Sequence, residues 1–342
     1  MENKIKTSRE KVMEVFEHRS SGDGVMWTGN PTAEVVAEAS KLYGIENNAE
    51  ALYRFLDDDC RWIPADSGYR HPEGRPAIDT AYNTRRDTLS AEGCFADATL
   101  ADIEAYPWPD VKYCDFTDVY RQIDQFQDKA VFTGMWGCFF HLVADFFGME
   151  NYFIKMYEEP EIVEAVTEHV VDYYVEANDK FFAGLGDRAD YMFFGNDFGT
   201  QLDLIVSPEL FRKFVLPSFK RIIAVGKKYN KKILLHSCGS IWRIIPDLIE
   251  AGVDAIHPIQ AQAVGMSAAE LAQYKNDLAF VGGIDAQSFF VNATPEEMEA
   301  EVMRVRDILA PSIVISPSHE RILPNVPAAN VVAMARAAKK ER

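Results

Sequence analysis

The sequence is poor in basic residues and has no apolar run long enough to cross a membrane. Lysine and arginine together number 35, against 53 aspartates and glutamates, so the net charge is −18 at pH 7. Phosphate backbones and anionic membrane surfaces repel a polyanion, which makes nucleic acid and membranes poor partners. A membrane helix needs about 20 mostly apolar residues, and no segment approaches that length. We therefore expect a soluble protein that acts on a small molecule.

Cysteines are few, and their pattern is not that of a disulfide framework. There are five of them, an odd number, with irregular spacing and no CxxC pair. Reduced thiols are typical of the cytoplasm. The first twenty residues are charged and have helical apolar spacing at Val12, Val15 and Phe16, unlike the apolar core of a signal peptide. These features predict a cytoplasmic protein.

Several well-known catalytic motifs are also missing. The sequence contains no GxGxxG after a strand, no GxxxxGK[ST] loop, no GxSxG and no HExxH. These absences count against dinucleotide chemistry, nucleotide hydrolysis and serine-esterase chemistry.

What the sequence does contain is an alternation of short apolar segments with longer segments of helical pattern. In the second half, five apolar segments end in glycine or polar residues: 191–194, 232–235, 253–256, 278–281 and 313–315. Helical patterns lie between them, at 207–228, 241–251 and 295–309. Continuous apolar strands that alternate with helices predict a parallel sheet covered on both faces.

Three further strands are predicted in the first half, at residues 24–27, 60–63 and 129–132. Eight parallel strands close into a barrel, so we predict an α/β protein with a single (β/α)₈ TIM barrel domain over residues 1–342. Residues 66–128 would be an insertion after the second strand. This segment contains Tyr106-Pro-Trp-Pro-Asp, which fits neither a regular helix nor a central strand. Such long connections are usually functional, as a lid or one wall of a pocket.

The C-terminal ends of barrel strands form the catalytic face. We therefore expect the polar strand ends of the second half to converge on one site: Asn196, Asp197, His236, Cys238, His257, Gln260, Asp285, Ser316 and His319.

The sharpest local signal is His236-Ser-Cys238-Gly. Residues two apart at a strand end point the same way, and Zn²⁺ accepts both imidazole and thiolate. A catalytic zinc needs a third protein ligand, here from another strand, and four residues are candidates: His319, His257, Asp197 and Asp285. The alternative is a buried, inert thiol beside a hydrogen-bonded histidine.

The remaining strand-end residues fall into two groups. Asp197 and His257 are assigned to catalysis, Asp197 as a general base or as the partner of a cationic substrate group; a turn aspartate is the alternative. Substrate binding is assigned to five residues: Trp27, Asn196, Gln260, Asp285 and Trp136. Trp136 lies in an aromatic segment that suits a flat or apolar ligand, although core packing explains the same residues.

Several segments resemble the uroporphyrinogen decarboxylase superfamily. They are His236-Ser-Cys-Gly-Ser, residues 244–256, Val281-Gly-Gly-Ile-Asp, Ser316-Pro-Ser-His, Asn325-Val-Pro and the Tyr106 segment quoted above. The resemblance covers nearly the whole chain and implies a (β/α)₈ barrel, in agreement with the strand pattern.

The superfamily holds two chemistries. One is the heme-pathway decarboxylase, which needs no metal and carries an Arg-Gln-Ala-Gly-Arg motif for the substrate carboxylates. The other is a set of zinc-dependent methyltransferases that work with corrinoid proteins and with thiols or methylated donors. Here residues 26–31 read Met-Trp-Thr-Gly-Asn-Pro, without arginine. An acidic chain without this motif is poorly equipped to bind many carboxylates.

The His-x-Cys-Gly motif matches the methyltransferase branch. The resemblance implies that His236 and Cys238 are zinc ligands. The third ligand there is usually a cysteine near the eighth strand, where this chain has His319. The leading hypothesis is thus a zinc methyltransferase that moves a methyl group between a small methylated donor or a thiol and a corrinoid (cobalamin) on a partner protein; a homodimer is allowed. The alternatives are a metal-free uroporphyrinogen decarboxylase and a non-catalytic binder of a small ligand or corrinoid.

Overall fold

Parallel strands alternate with helices along residues 5–81 and 92–340, the part of the chain that the computed structural model describes. The strands are β1 Asn30–Pro31, β2 Cys60–Pro64, β3 Ala130–Gly134, β4 Tyr191–Gly195, β5 Lys232–His236, β6 Ala255–Ile259, β7 Ala279–Ile284, β8 Ile313–Pro317 and β9 Arg321–Ile322. Strands β2 to β8 form one parallel sheet in chain order, and β1 pairs with β9 apart from it. The α/β class and the parallel sheet are therefore as predicted.

The helices lie before, between and after these strands. They are α1 Ser8–Phe16, α2 Ala33–Tyr43, α3 Ala49–Phe55, α4 Leu100–Ala105, α5 Thr117–Ile123, α6 Phe139–Phe147, α7 Met149–Glu158, α8 Pro160–Leu185, α9 Pro208–Leu210, α10 Leu216–Lys228, α11 Ile245–Ala251, α12 Ala268–Leu271, α13 Phe289–Asn292, α14 Pro295–Leu309 and α15 Ala328–Ala338. None of the helices in the described ranges is both long enough and apolar enough to span a bilayer.

Local signals in the sequence explain where helices begin. Thr294 caps α14: its side chain accepts the backbone N–H of Glu297, and the Glu297 side chain accepts that of Thr294. Proline follows at the first helical position, where its missing N–H costs nothing. Ser207 caps α9 in the same way, accepting the N–H of Leu210 at 3.3 Å. Because such caps are local, α14 has the bounds expected from its sequence.

The predicted first strand, at residues 24–27, is seen only as a bridge. Met26 pairs with Ile315 of β8, and the Asp59 N–H donates to the Met26 carbonyl at 3.2 Å. On the β2 side, however, the N–H groups of Met26 and Thr28 donate to carboxylates, those of Asp59 at 2.8 Å and Asp58 at 2.6 Å. Side-chain acceptors thus replace part of the backbone ladder. The sheet therefore has seven strands rather than eight, with this segment bonded to both of its edges.

One cluster of apolar side chains fills the inside of the curled sheet. Phe16 of α1 reaches into the end where the strands begin, with its ring 4.8 Å from Tyr191 and 6.4 Å from Phe132. Trp27 and Phe193 lie further along, with ring centroids 5.9 Å apart. The interior is therefore packed, as in barrels of this kind, and open space for a ligand is expected only at the far end.

The connection from β2 to β3 contains α4, α5 and short turns. Tyr106 ends α4 and the following Pro-Trp-Pro run is irregular, as its prolines require. Residues 82–91 lie outside the described ranges. The interpretation of residues 66–128 as an insertion, and of the whole chain as one domain, stays a prediction.

Candidate active site

Three potential metal ligands meet just beyond β4 and β5. Gly195, which ends β4, is the register partner of His236, which ends β5. The two strand ends therefore stand side by side, and Asp197 and Cys238 each follow by two residues. The ligand atoms of Asp197, His236 and Cys238 all lie within 4.8 Å of one another.

The imidazole of His236 is the centre of this group. Its Nε2 lies 3.6 Å from Cys238 Sγ and 3.3 Å from Asp197 Oδ1. The backbone N–H of Cys238 donates to the same Oδ1 at 2.8 Å, which holds the carboxylate beside the ring. His236 Nε2 thus faces a thiol and a carboxylate at once.

These separations can be compared with those around a zinc ion. With zinc–sulfur bonds of about 2.3 Å and zinc–nitrogen or zinc–oxygen bonds of about 2.0–2.1 Å, tetrahedral ligands stand about 3.6 Å apart for sulfur–nitrogen and about 3.3 Å apart for nitrogen–oxygen. Both separations around His236 Nε2 match. The donor types match too, because zinc takes sulfur, imidazole nitrogen and carboxylate oxygen. The three residues therefore fit zinc.

The electrostatics of the group also favour a cation. Burial opposes ionisation of Asp197, but the hydrogen bond and charge of His236 outweigh it and lower the carboxyl pKa to about 2. Burial raises the pKa of the Cys238 thiol, and the carboxylates of Asp197 and Glu320 raise it further. A bound divalent cation reverses this preference, since it deprotonates a coordinating thiol.

The other ring nitrogen of His236 points toward His257 and Glu320. Its Nδ1 lies 3.1 Å from His257 Nδ1 and 3.9 Å from Glu320 Oε2. Burial lowers the pKa of His257 well below its usual value, so this ring is neutral. Trp27 packs on it with centroids 4.8 Å apart. His257 therefore lies directly behind His236, and Trp27 supports it from the interior.

His319 lies apart from the three-residue group. Its side chain is 44% exposed and stands 3.7 Å from Glu320, and its Nδ1 accepts the backbone N–H of Arg321 at 3.0 Å. Its role as third ligand stays a prediction. Asp197, another of the candidates weighed from the sequence, has a carboxylate oxygen 3.3 Å from His236 Nε2.

Two residues assigned to substrate binding have backbone partners instead. Asn196 accepts the N–H of Phe140 at 2.9 Å and donates to the carbonyl of Gly137 at 3.1 Å. Gln260 accepts the N–H of Gly239 at 3.0 Å. These bonds tie neighbouring loops together at the mouth of the sheet. Contact of either residue with a substrate stays a prediction.

Asp285 organises the turn that leads into α13. Its carboxylate accepts the backbone N–H groups of Gln287, Ser288 and Phe289. Burial opposes ionisation, but these hydrogen bonds prevail and lower the pKa of the carboxyl. Aspartates in turns commonly accept such backbone hydrogen bonds. Contact of Asp285 with a substrate stays a prediction.

Trp136, another residue assigned to substrate binding, packs against one of the candidate ligands. Its ring centroid is 5.2 Å from that of His236 and 5.1 Å from that of Trp62. It covers Gly195, where an added Cβ would lie 2.2 Å from the indole. A glycine at the end of β4 is therefore needed for the indole to stand beside His236.

Sequence reasoning missed Trp62 and Glu320. Trp62 alternates with Cys60 along β2, so the two-residue period of a strand could have placed it inside the sheet. Glu320 follows β8 by three residues, directly after His319. Nothing local distinguishes it from other loop glutamates, because its position beside His236 comes from strand packing.

The model of the uroporphyrinogen decarboxylase (URO-D) family matches residues 96–341, which include β3 to β8 and the candidate ligands. The chain belongs to this family. Membership in the uroporphyrinogen decarboxylase family confirms the resemblance that the His236-Ser-Cys-Gly segment and the later motifs indicated.

Two similar proteins are named as methyltransferases. The methylcobamide:CoM methyltransferase MtbA of Methanosarcina mazei is 25% identical over 138 residues, which are 40% of this chain. The chain spans 39% of the length of this curated relative. A solved methyltransferase from Methanosarcina mazei matches 98% of both chains with a TM-score of 0.67 and 16% identity. At that identity the likeness shows a shared fold.

Proposed function

We propose that this member of the uroporphyrinogen decarboxylase family is a zinc-dependent methyltransferase. It would move a methyl group between a small methylated donor or a thiol and a corrinoid carried by a partner protein. The observation that carries the proposal is the arrangement of Cys238 Sγ and Asp197 Oδ1 around His236 Nε2, at 3.6 Å and 3.3 Å.

We propose His236, Cys238 and Asp197 as the zinc ligands. Three protein ligands leave one position of a tetrahedral ion open, as catalytic zinc sites do. When bound, zinc would supply Lewis acidity that lowers the pKa of a thiol or polarises a leaving oxygen. His319, whose Nδ1 lies 3.7 Å from Glu320 Oε2, is the competing third ligand.

The other residues would orient the ligands and shape the pocket. With Nε2 as the ligand atom, the proton of His236 lies on Nδ1 and donates to His257 Nδ1, 3.1 Å away. Such a bond to the outer ring nitrogen fixes the tautomer and orientation of a metal-bound histidine. The indole of Trp136 would exclude water from one side of His236. His257 would thus be a positioning residue rather than a contact of the substrate.

Two further observations support methyl transfer over decarboxylation. The similar protein MtbA is a methyltransferase. Residues 26–31 lack the arginines that the resemblance assigns to decarboxylases. Trp27, within this segment, is buried, with 1% of its surface exposed. An eightfold carboxylated substrate would have to bind beside Asp197 and Glu320, which repel it.

Metal analysis of the purified protein tests the ligand set. We expect about one zinc per chain, and its loss in His236→Ala, Cys238→Ser and Asp197→Asn. His319→Asn should keep the metal. Cys138→Ser is the matched control, because Cys138 is another partly buried thiol at the ends of the strands but outside the group of three. Loss of zinc in His319→Asn but not in Asp197→Asn would show that His319, and not Asp197, is the third ligand.

Turnover separates the three candidate functions. The zinc-loaded protein should transfer a methyl group either from methylcobalamin to a simple thiol such as 2-mercaptoethanol or from a small methylated compound to reduced cobalamin. Decarboxylation of uroporphyrinogen by metal-free protein would establish the decarboxylase instead. Tight corrinoid binding without transfer to or from any methylated compound would identify a binding protein.

A further inference from the structure

Two tryptophan rings meet beside the candidate zinc ligands. Trp62 and Trp136 are both partly buried, with centroids 5.1 Å apart and planes inclined at 46°. The ring of Phe193 packs against both, with its centroid 5.6 Å from that of Trp62 and 5.4 Å from that of Trp136. The indole N–H of Trp62 is buried and has no hydrogen-bond partner in the described part of the chain. A ligand that lies beside His236 would therefore meet the faces and edges of these aromatic rings.

The charges around this aromatic surface are negative. Asp66 accepts the backbone N–H of Trp136 at 3.0 Å, Asp197 lies beside His236 Nε2, and Glu320 lies on its Nδ1 side. Oε2 of Glu320 is buried and accepts no hydrogen bond from any described residue. A buried carboxylate oxygen without a donor is costly, and a cationic ligand would relieve that cost.

In residues 5–81 and 92–340, the basic side chains within 4 Å of these carboxylates are histidines: His236 lies 3.3 Å from Asp197, and His319 lies 3.7 Å from Glu320. The charged groups that act on Cys238 are Asp197 and Glu320, with no lysine or arginine among them. None acts on Asp66 either. Zinc with the carboxylate of Asp197 and the thiolate of Cys238 would be neutral in sum, so the negative charge of Glu320 would remain, with only the imidazoles of His236 and His319 within 4 Å of it in the described residues. An anionic ligand would meet repulsion here.

We propose that the substrate of this pocket is a small methylated onium cation, a quaternary ammonium or a trialkylsulfonium. Its methyl groups would lie against the faces of Trp136 and Trp62, and Glu320 would supply the opposite charge. Aromatic rings recognise quaternary ammonium groups through the negative faces of their π-systems. This inference rests on the proposed methyl transfer, since it names the methyl donor for that reaction.

The chemistry balances with a corrinoid acceptor. The bond between methyl carbon and onium nitrogen or sulfur breaks, and its electron pair stays on the leaving amine or sulfide, which departs neutral. The methyl carbon takes a new electron pair from the reduced corrinoid nucleophile on the partner protein. No proton and no external oxidant is required, and the positive charge passes to the methylated corrinoid.

Calorimetric titration of the zinc-loaded, full-length protein tests the charge preference. Three probes of similar shape differ in charge: choline, its neutral isostere 3,3-dimethylbutan-1-ol and the anion 3,3-dimethylbutanoate. Because a desolvated cation is attracted to the negative face of an indole and a neutral group is not, we expect choline to bind at least about tenfold more tightly than the isostere. Equal binding of choline and the isostere, or tighter binding of the anion, would overturn the proposal.

Variants locate the contact. Trp136→Leu should weaken choline about tenfold and leave the isostere nearly unchanged, whereas Trp136→Phe should recover part of the loss. Glu320→Gln should weaken choline alone. Trp242→Leu is the matched control, because this tryptophan is 44% exposed and lies outside the aromatic pair. If Trp136→Leu and Trp242→Leu bind choline equally well, the aromatic contact is refuted.

The zinc content of each sample separates this inference from the proposed function. Zinc bound by His236 and Cys238, together with no preference for choline, would refute the onium substrate and leave the methyltransferase standing. Absence of zinc from the unaltered protein would refute the proposed function itself. Circular dichroism melting of each variant shows whether it is folded.

Discussion

At the scale of single residues, the site depends on both nitrogens of one imidazole having a defined neighbour. His236 Nε2 faces Cys238 and Asp197, while Nδ1 faces neutral His257. Close approach of Trp136 adds a third constraint, and that approach is possible only because residue 195 has no side chain. The geometry of the candidate ligands therefore depends on the absence of a side chain at residue 195.

Gly195→Ala tests this dependence. The new methyl group would lie 2.2 Å from the indole of Trp136, so the ring must move. Overpacking of this kind costs about 1–3 kcal/mol. We expect a lower unfolding midpoint and a changed near-ultraviolet circular dichroism spectrum.

Gly44→Ala is the control for the glycine variant. Nothing lies within 4 Å of an added Cβ there, but φ is +67°, so the cost is backbone strain of about 1–2 kcal/mol. Its aromatic spectrum should match that of the unaltered protein. An unchanged spectrum and midpoint in Gly195→Ala would show that Trp136 does not lie over residue 195.

At the scale of elements, the seam between β8 and β2 is the unusual part of the sheet. The segment before β1 donates to the carboxylates of Asp58 and Asp59 rather than to backbone carbonyls of β2. Asp58 is fully buried. Burial raises its pKa from 3.8 to about 6, against the opposing effects of hydrogen bonds and of nearby Arg61. The fold therefore favours the protonated form of this carboxyl.

Asp58→Asn should change how stability depends on pH. Because the folded pKa lies above the unfolded value, the contribution of Asp58 is fully present below pH 3.8 and is lost as pH rises through about 6. Two pKa units correspond to about 3 kcal/mol. The free energy of unfolding of the unaltered protein should fall relative to that of Asp58→Asn between pH 4 and pH 7. Parallel denaturant-unfolding profiles of the two proteins would contradict this.

At the scale of the whole molecule, the two ends of the sheet hold different groups of residues. Helix α1 fills the end where strands begin, and the candidate ligands occupy the end where strands finish. Phe16 is 1% exposed and packs on Tyr191, which links the N-terminal helix to the interior of the sheet. The packing of α1 and the candidate ligands therefore lie at opposite ends of the sheet.

Phe16→Ala tests this division. Truncation of a buried phenylalanine costs about 3–5 kcal/mol, and the cavity would lie far from His236. We expect a large drop in the urea midpoint with zinc content retained. Ile5→Ala is the control in the same region, because Ile5 is 89% exposed, and it should leave the midpoint unchanged. Equal midpoints for the two variants would show that α1 is not part of the core.

Much of the fold could be predicted because its signals are local. The caps at Thr294 and Ser207, the apolar strands and the two-residue spacing of His236 and Cys238 each depend on a few neighbouring residues. Predicted strands agree with the structure to within a few residues at most ends. The first strand is the exception, since carboxylates before β2 compete for its backbone donors and no sequence pattern reveals that competition.

The sequence by itself determined the parallel α/β sheet, the family and the pairing of an imidazole with a thiol at one strand end. Only the tertiary structure decided that Asp197 rather than His319 stands beside them, that Glu320 lies near His236, that Trp62 packs on Trp136, and that Trp27 lies beneath His257. The physical reason is distance along the chain. Residues on one strand are related by backbone geometry, whereas residues on different strands are brought together by register and curvature, which depend on the packing of the whole sheet.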